Sequence, residues 1–143
     1  MASSSGYETA ETDISNCMKG LQVLLVEDSS NVSEAIKTML RSWGADVVGP
    51  AATTAEAERL LLDHSADVAL IDFHLRGGEV SSALIARLND QGIPVIVTSG
   101  SGMDFLPPIK AVAILEKPFS ELRLLEILYP LIPRGAAASH RQD

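Results

Sequence analysis

The stretch Leu21-Gln22-Val23-Leu24-Leu25-Val26-Glu27-Asp28 decides how the rest of the chain is read. Five of its first six residues are aliphatic, with no polar alternation. That is the pattern of a strand buried on both faces, as in a parallel sheet. The run ends abruptly on two carboxylates. Ser29 or Ser30 is placed to cap a following helix. In that helix Val32, Ala35, Ile36, Met39, Leu40 and Trp43 recur at helical spacing, and Gly44 closes it.

The same alternation continues outward. Asp46 to Gly49 is a short second strand, and Thr53 or Thr54 caps a helix running through His64, with Ala57, Leu60 and Leu61 inward. Asp67 to Asp72 is the third strand. Gly77-Gly78 makes a loop, a third helix runs from about Glu79 to Asp90, and Gly92 ends it. Ile93 to Thr98 is the fourth strand, with Pro94 tolerable at its start. Val112 to Leu115 is the fifth. Ser120 caps a last helix to about Tyr129, or one turn past Pro130. Between strands four and five, Gly100, Gly102, Pro107 and Pro108 predict a fourth helix that is short or irregular. Repeated βα units with apolar strands predict an α/β three-layer sandwich, flavodoxin-like, with a five-stranded parallel sheet of order 2-1-3-4-5.

Composition narrows the class. The chain has 143 residues, 46% hydrophobic and only 4% aromatic, so aliphatic side chains must build the core. The net charge of -8 comes with no cluster of Lys and Arg, which excludes a nucleic-acid partner held by phosphate contacts. Cys17 is the sole cysteine and can form no internal disulfide, in keeping with a reducing cytoplasm. No apolar run approaches the length of a signal-peptide core or a membrane span. Residues 1–19 are polar and aperiodic and are expected to form a disordered leader. The domain proper spans 20–133, and 134–143 is a low-complexity tail.

In a sheet of this order, ligands bind beyond the carboxyl ends of the strands where the order reverses. Polar groups collect at those ends: Glu27 and Asp28 after strand one, Asp72 closing strand three, Thr98 and Ser99 closing strand four, and Lys117 just past strand five. Three crowded carboxylates repel unless a cation intervenes. Mg²⁺ suits such a site, because it takes one or two carboxylates and keeps waters and phosphate oxygens as its other ligands. Asp28 and Asp72 are the expected direct ligands, Glu27 acts directly or through water, and a backbone carbonyl near His74 completes the protein side. Lys117 adds an ammonium and Thr98 a hydroxyl, both suited to a tetrahedral anion.

Val23-Leu24-Leu25-Val26-Glu27-Asp28, Ala69-Leu70-Ile71-Asp72, Val95-Ile96-Val97-Thr98-Ser99 and Glu116-Lys117-Pro118-Phe119 together resemble the receiver domain of two-component response regulators over about residues 20–132. The resemblance implies that Asp72 takes a phosphoryl group from a phosphohistidine on a sensor histidine kinase or phosphotransfer protein. It implies that Glu27 and Asp28 hold Mg²⁺, and that Lys117 pairs with Asp72 and then with the phosphoryl oxygens. Thr98 would hydrogen-bond the phosphoryl group, and the Lys117-Pro118 bond would be cis. Such a receiver is no enzyme beyond its own phosphotransfer and Mg²⁺-dependent autodephosphorylation.

Three departures stand out. Ile114 occupies the position where the family often has an aromatic switch residue. Leu75-Arg76 replaces the common Met-Pro after the phosphoacceptor. The segment from Thr98 to Lys117 is short, as in a group of stand-alone bacterial receivers.

Bland roles compete for some residues. Glu27-Asp28 also complements a helix dipole. His74 reads as a rim residue, His64 and His140 as exposed. Trp43 reads as core or as a helix-end plug. The last helix is apolar on more than one face, through Leu122, Leu124, Leu125, Ile127, Leu128, Tyr129, Leu131 and Ile132. That surplus suggests a homodimer through this helix and strand five, or a partner surface. Too little chain follows Leu131 for an output domain, so output is expected through protein contacts or as a phosphate relay or sink. The alternatives are a degenerate receiver acting as an unphosphorylated interaction module, and an aspartyl phosphatase, which commonly carries an Asp-x-Asp that Glu27-Asp28-Ser29-Ser30 lacks.

Overall fold

The computed structural model describes residues 16–100 and 106–133. Five strands, β1 (Gln22–Val26), β2 (Asp46–Ala51), β3 (Val68–Asp72), β4 (Val95–Ser99) and β5 (Ala113–Glu116), pair in parallel in the order β2-β1-β3-β4-β5. Four α-helices are described: α1 (Ser30–Ser42), α2 (Thr54–Asp63), α3 (Ser82–Asp90) and α4 (Glu121–Leu128). The expected flavodoxin-like sandwich is therefore present.

Side chains alternate across each strand, so the sheet has two apolar faces. One core joins Val23, Leu25, Leu70 and Ile96 of the sheet to Ile36 and Leu40 of α1 and Leu124 and Leu128 of α4. The other joins Leu24, Val26, Ile71 and Val97 to Ala57 of α2 and Leu84, Ile85 and Leu88 of α3. Burial of these aliphatic side chains, each contributing roughly 1.5–3 kcal/mol, is what holds the layers together.

Local signals place the helices. The hydroxyl of Ser29 accepts from Val32 N, that of Thr53 from Glu56 N and that of Ser120 from Arg123 N, each satisfying an orphan donor of a first turn. The Glu56 carboxylate reaches back to Ala52 N at 2.7 Å. Gly44 follows α1 at φ 91, a conformation that favours glycine.

Several expectations need correction. Strand β2 continues past Gly49 to Ala51, because the register against β1 shifts between Leu24 and Val26 and the bulge absorbs Gly49-Pro50. A Cβ at Gly49, where φ is 114, would lie 2.7 Å from the Leu25 carbonyl oxygen. Helix α3 begins at Ser82, not Glu79. A 3-10 turn (Arg76–Gly78) and a bridge between His74 and Val80 come first. Residues 16–19 belong to the packed chain: Met18 is fully buried and donates its N–H to the Trp43 carbonyl at 2.8 Å. Between β4 and β5, residues 106–112 form no helix, and 101–105 lie outside the described residues, as do 1–15 and 134–143. Helix α4 gives way to a 3-10 turn (Tyr129–Leu131) at Pro130. No helix among the described residues is long and apolar enough to cross a membrane.

Candidate phosphoacceptor site

The chain leaves β1 for β2 on one side and then crosses to β3 on the other, so strand order reverses at β1 and β3, and the polar groups meet there. Register does much of the placing. Val26 pairs with Ile71, so Glu27 and Asp28 emerge beside Asp72. Asp72 pairs with Thr98, and Ser99 with Glu116, which puts Lys117 just past the same edge. Main-chain bonds fix the ends: Glu27 N to Ala51 O at 2.8 Å, Phe73 N to Thr98 O at 2.9 Å and Lys117 N to Ser99 O at 2.7 Å.

Carboxylate oxygens of Glu27, Asp28 and Asp72 lie within 4.8 Å of one another. Lys117 Nζ donates to Asp72 Oδ2 and to Glu27 Oε1, both at 2.9 Å. Glu27 Oε2 accepts from Ser29 N at 3.1 Å, so both oxygens of this buried carboxylate are engaged. Asp72 is 5% exposed and Lys117 couples it to β5 across 45 residues of sequence. The Lys117-Pro118 peptide is cis.

Burial pushes the Glu27 carboxyl above its ordinary range; the Lys117 and Ser29 hydrogen bonds oppose this and the Asp72 charge adds to it. Burial works against the charge of Lys117, but hydrogen bonds to Asp72 and Glu27 outweigh it and raise its pKa. The ammonium therefore stays charged at neutral pH.

Glu27, Asp28, Asp72 and Lys117 are brought into contact distance, with Thr98 and His74 placed around them. Thr98 is buried beside Asp72 in the ladder. The His74 side chain is exposed and meets the Phe73 ring edge-on at 5.0 Å, which leaves it on the rim. The bonds around its bridge to Val80 run from Leu75 N to Glu79 O and from Ser81 N to Phe73 O, so neither uses the His74 carbonyl. Ile114 is 40% exposed on the edge strand β5.

Two contributors were not legible. Arg76 Nε lies 3.4 Å from Asp28 Oδ2. An arginine just after the acidic strand end was the available signal. Ser81, fully buried, donates its hydroxyl to the Asp72 main-chain carbonyl at 2.7 Å. It gave no signal, because the helix was expected to start two residues before it. Glu79 also bonds Thr54 N at 3.1 Å and Thr54 Oγ1 at 3.0 Å, tying the loop to the start of α2.

An all-oxygen, carboxylate-rich donor set fits Mg²⁺. Three formal negative charges face the ammonium of Lys117 and the largely exposed guanidinium of Arg76, so a net negative charge remains for a divalent ion.

Residues 23–129 match the response regulator receiver domain profile, and the chain belongs to that family, the receivers of two-component systems. No curated protein sequence matches it significantly. Among solved structures it is similar to SdrG from Sphingomonas melonis, with 28% identity, TM-score 0.69, and coverage of 79% of this chain and 97% of that one. The response regulator PhyR from Brucella abortus shares 25% identity at TM-score 0.71; the match covers 95% of this chain but 58% of that longer one. The receiver domain of sensor histidine kinase PA1611 from Pseudomonas aeruginosa, whose structure has a magnesium ion coordinated in the active site cleft, is 25% identical at TM-score 0.69, covering 79% and 98% of the respective chains.

Proposed function

We propose that the protein is a phosphoacceptor of two-component signalling that carries its phosphoryl group on Asp72. The observation behind this reading is the Lys117 ammonium, 2.9 Å from Asp72 within a three-carboxylate cluster. A carboxylate oxygen of Asp72 attacks the phosphorus of a phosphohistidine on a sensor histidine kinase or phosphotransfer protein. The new O–P bond forms as the N–P bond breaks, and the imidazole leaves. Lys117 and the Thr98 hydroxyl receive the charge that builds on the phosphoryl oxygens.

Asp28 and Asp72 would hold Mg²⁺ directly. Glu27 has both oxygens engaged and would act through water or after release from Lys117, and the His74 carbonyl would complete the protein ligands. The ion neutralises phosphoryl charge when bound. Hydrolysis by water would return Asp72 to a carboxylate and release inorganic phosphate. His74, exposed on the rim, is placed to influence that water's access.

Output passes through protein contacts, or the domain acts as a relay or sink, in the cytoplasm. Exposed Leu122 and Tyr129 on or beside α4, with Val112 and Ile114 at β5, support a homodimer or partner surface there.

The test is incubation with Mg²⁺ and acetyl phosphate. One acid-stable, base-labile phosphate per chain is expected, lost in Asp72→Asn. No labelling and no Mg²⁺ effect would mark a degenerate interaction module. Repeated turnover of exogenous substrate would mark a phosphatase.

A further inference from the structure

We infer that Arg76 is a tethered cation that competes with Mg²⁺ for Asp28 and so sets how readily the site loads metal. The inference rests on the functional reading above and concerns a residue that reading does not use.

Arg76 touches the cluster at one point, Nε to Asp28 Oδ2 at 3.4 Å. Asp28 is also the least committed of the three carboxylates. Glu27 and Asp72 both accept from the Lys117 ammonium at 2.9 Å, whereas the ion-pair partner of Asp28 among the described residues is Arg76. The cation that Asp28 sees is thus on the loop.

The loop is built to hold the backbone and free the side chain. Leu75, one residue earlier, is 6% exposed and its N–H bonds Glu79 O at 2.8 Å. Gly77 and Gly78 follow with φ of 71 and 77, and no atom lies within 4 Å of a Cβ placed at either. The Arg76 side chain itself is 80% exposed while that of Asp28 is 14%. An exposed guanidinium held by one long contact is released at little cost, since such surface ion pairs contribute little. Without Arg76, Asp28 would have no ion-pair partner among the described residues, while Lys117 still opposes Glu27 and Asp72.

A guanidinium beside Asp28 repels Mg²⁺ from that carboxylate. Metal entry therefore favours Arg76 turned outward, and removal of its charge favours the metal.

The experiment is calorimetric titration of Mg²⁺ into the metal-free full chain at fixed ionic strength. It compares the parent protein with Arg76→Ala, Arg76→Lys and Lys110→Ala. Lys110 lies at the other end of β4, where its carbonyl accepts from Asn89, and it controls for the general loss of one positive charge. Arg76→Ala is expected to bind Mg²⁺ about three- to fivefold more tightly. Arg76→Lys should fall between parent and Arg76→Ala, and Lys110→Ala should match the parent. The gap between parent and Arg76→Ala should narrow as monovalent salt is raised. Equal or weaker binding by Arg76→Ala, or an equal gain in Lys110→Ala, overturns the inference and leaves the metal site standing. No Mg²⁺ binding by any of the four proteins overturns both.

Discussion

The Ser81 hydroxyl donates to the main-chain carbonyl of Asp72 at 2.7 Å, and Ser81 N donates to Phe73 O at 3.0 Å. A residue ahead of α3 thereby holds the last residue of β3. Ser81 is fully buried, so the hydroxyl has no water to replace its partner. Ser81→Ala should lower unfolding free energy by about 1–2 kcal/mol. Urea denaturation checks this, with the midpoint falling and the slope unchanged. An unchanged midpoint would show that the bond contributes nothing net.

Gly49 predicts a backbone effect. A methyl group there would sit 2.7 Å from Leu25 O and 2.9 Å from Ala51 N, at a φ that side chains disfavour. The clash is with main chain, which cannot swing away. Gly49→Ala should cost about 2–3 kcal/mol in the same urea assay. It should also weaken Mg²⁺ binding, because Ala51 O anchors Glu27 N.

How far the sequence could be read follows from these two residues. The strands were visible because β1, β3 and β4 are near-continuous apolar runs that stop at Glu27, Asp72 and Thr98, the usual pattern of parallel strands buried on both faces. The site was visible because its side chains sit on those ends. Gly49-Pro50 reads locally as a break, yet β2 continues through it by a bulge that depends on β1. Glu79 reads as a helix start with Ser81 inside the first turn, yet the loop takes them for Thr54 and Asp72. Met18 follows a polar, aperiodic stretch, yet its side chain joins the core beside Trp43 and its N–H bonds the Trp43 carbonyl after α1. Each miss is a tertiary contact outweighing local pattern.

Lys117 predicts a separation of folding from phosphotransfer. Lys117→Ala removes the cation that both Asp72 and Glu27 contact. Phosphate from acetyl phosphate should accumulate on the chain about 100-fold more slowly. Thr98→Ala should slow it less, since it deletes a hydroxyl and no charge. Circular dichroism confirms that both variants fold. Equal labelling of Lys117→Ala and parent would remove the ammonium from the chemistry.

Metal should stabilise the fold. Mg²⁺ binds the native cluster, which the unfolded chain cannot assemble. At about 100 times its dissociation constant it should add about 2.7 kcal/mol, read as a rise in thermal midpoint. Chelation should reverse the gain, and Asp28→Ala should abolish most of it. A rise of the same size in Asp28→Ala would place the ion elsewhere.

The most direct measurement locates the phosphoryl group itself. Borohydride reduction of the Mg²⁺- and acetyl-phosphate-treated protein converts an aspartyl phosphate to homoserine, which peptide mass spectrometry assigns to a position. Homoserine at position 72, absent without Mg²⁺, is the predicted result. Homoserine at position 28, phosphate retained on His74 or Thr98, or no modification at all would contradict it.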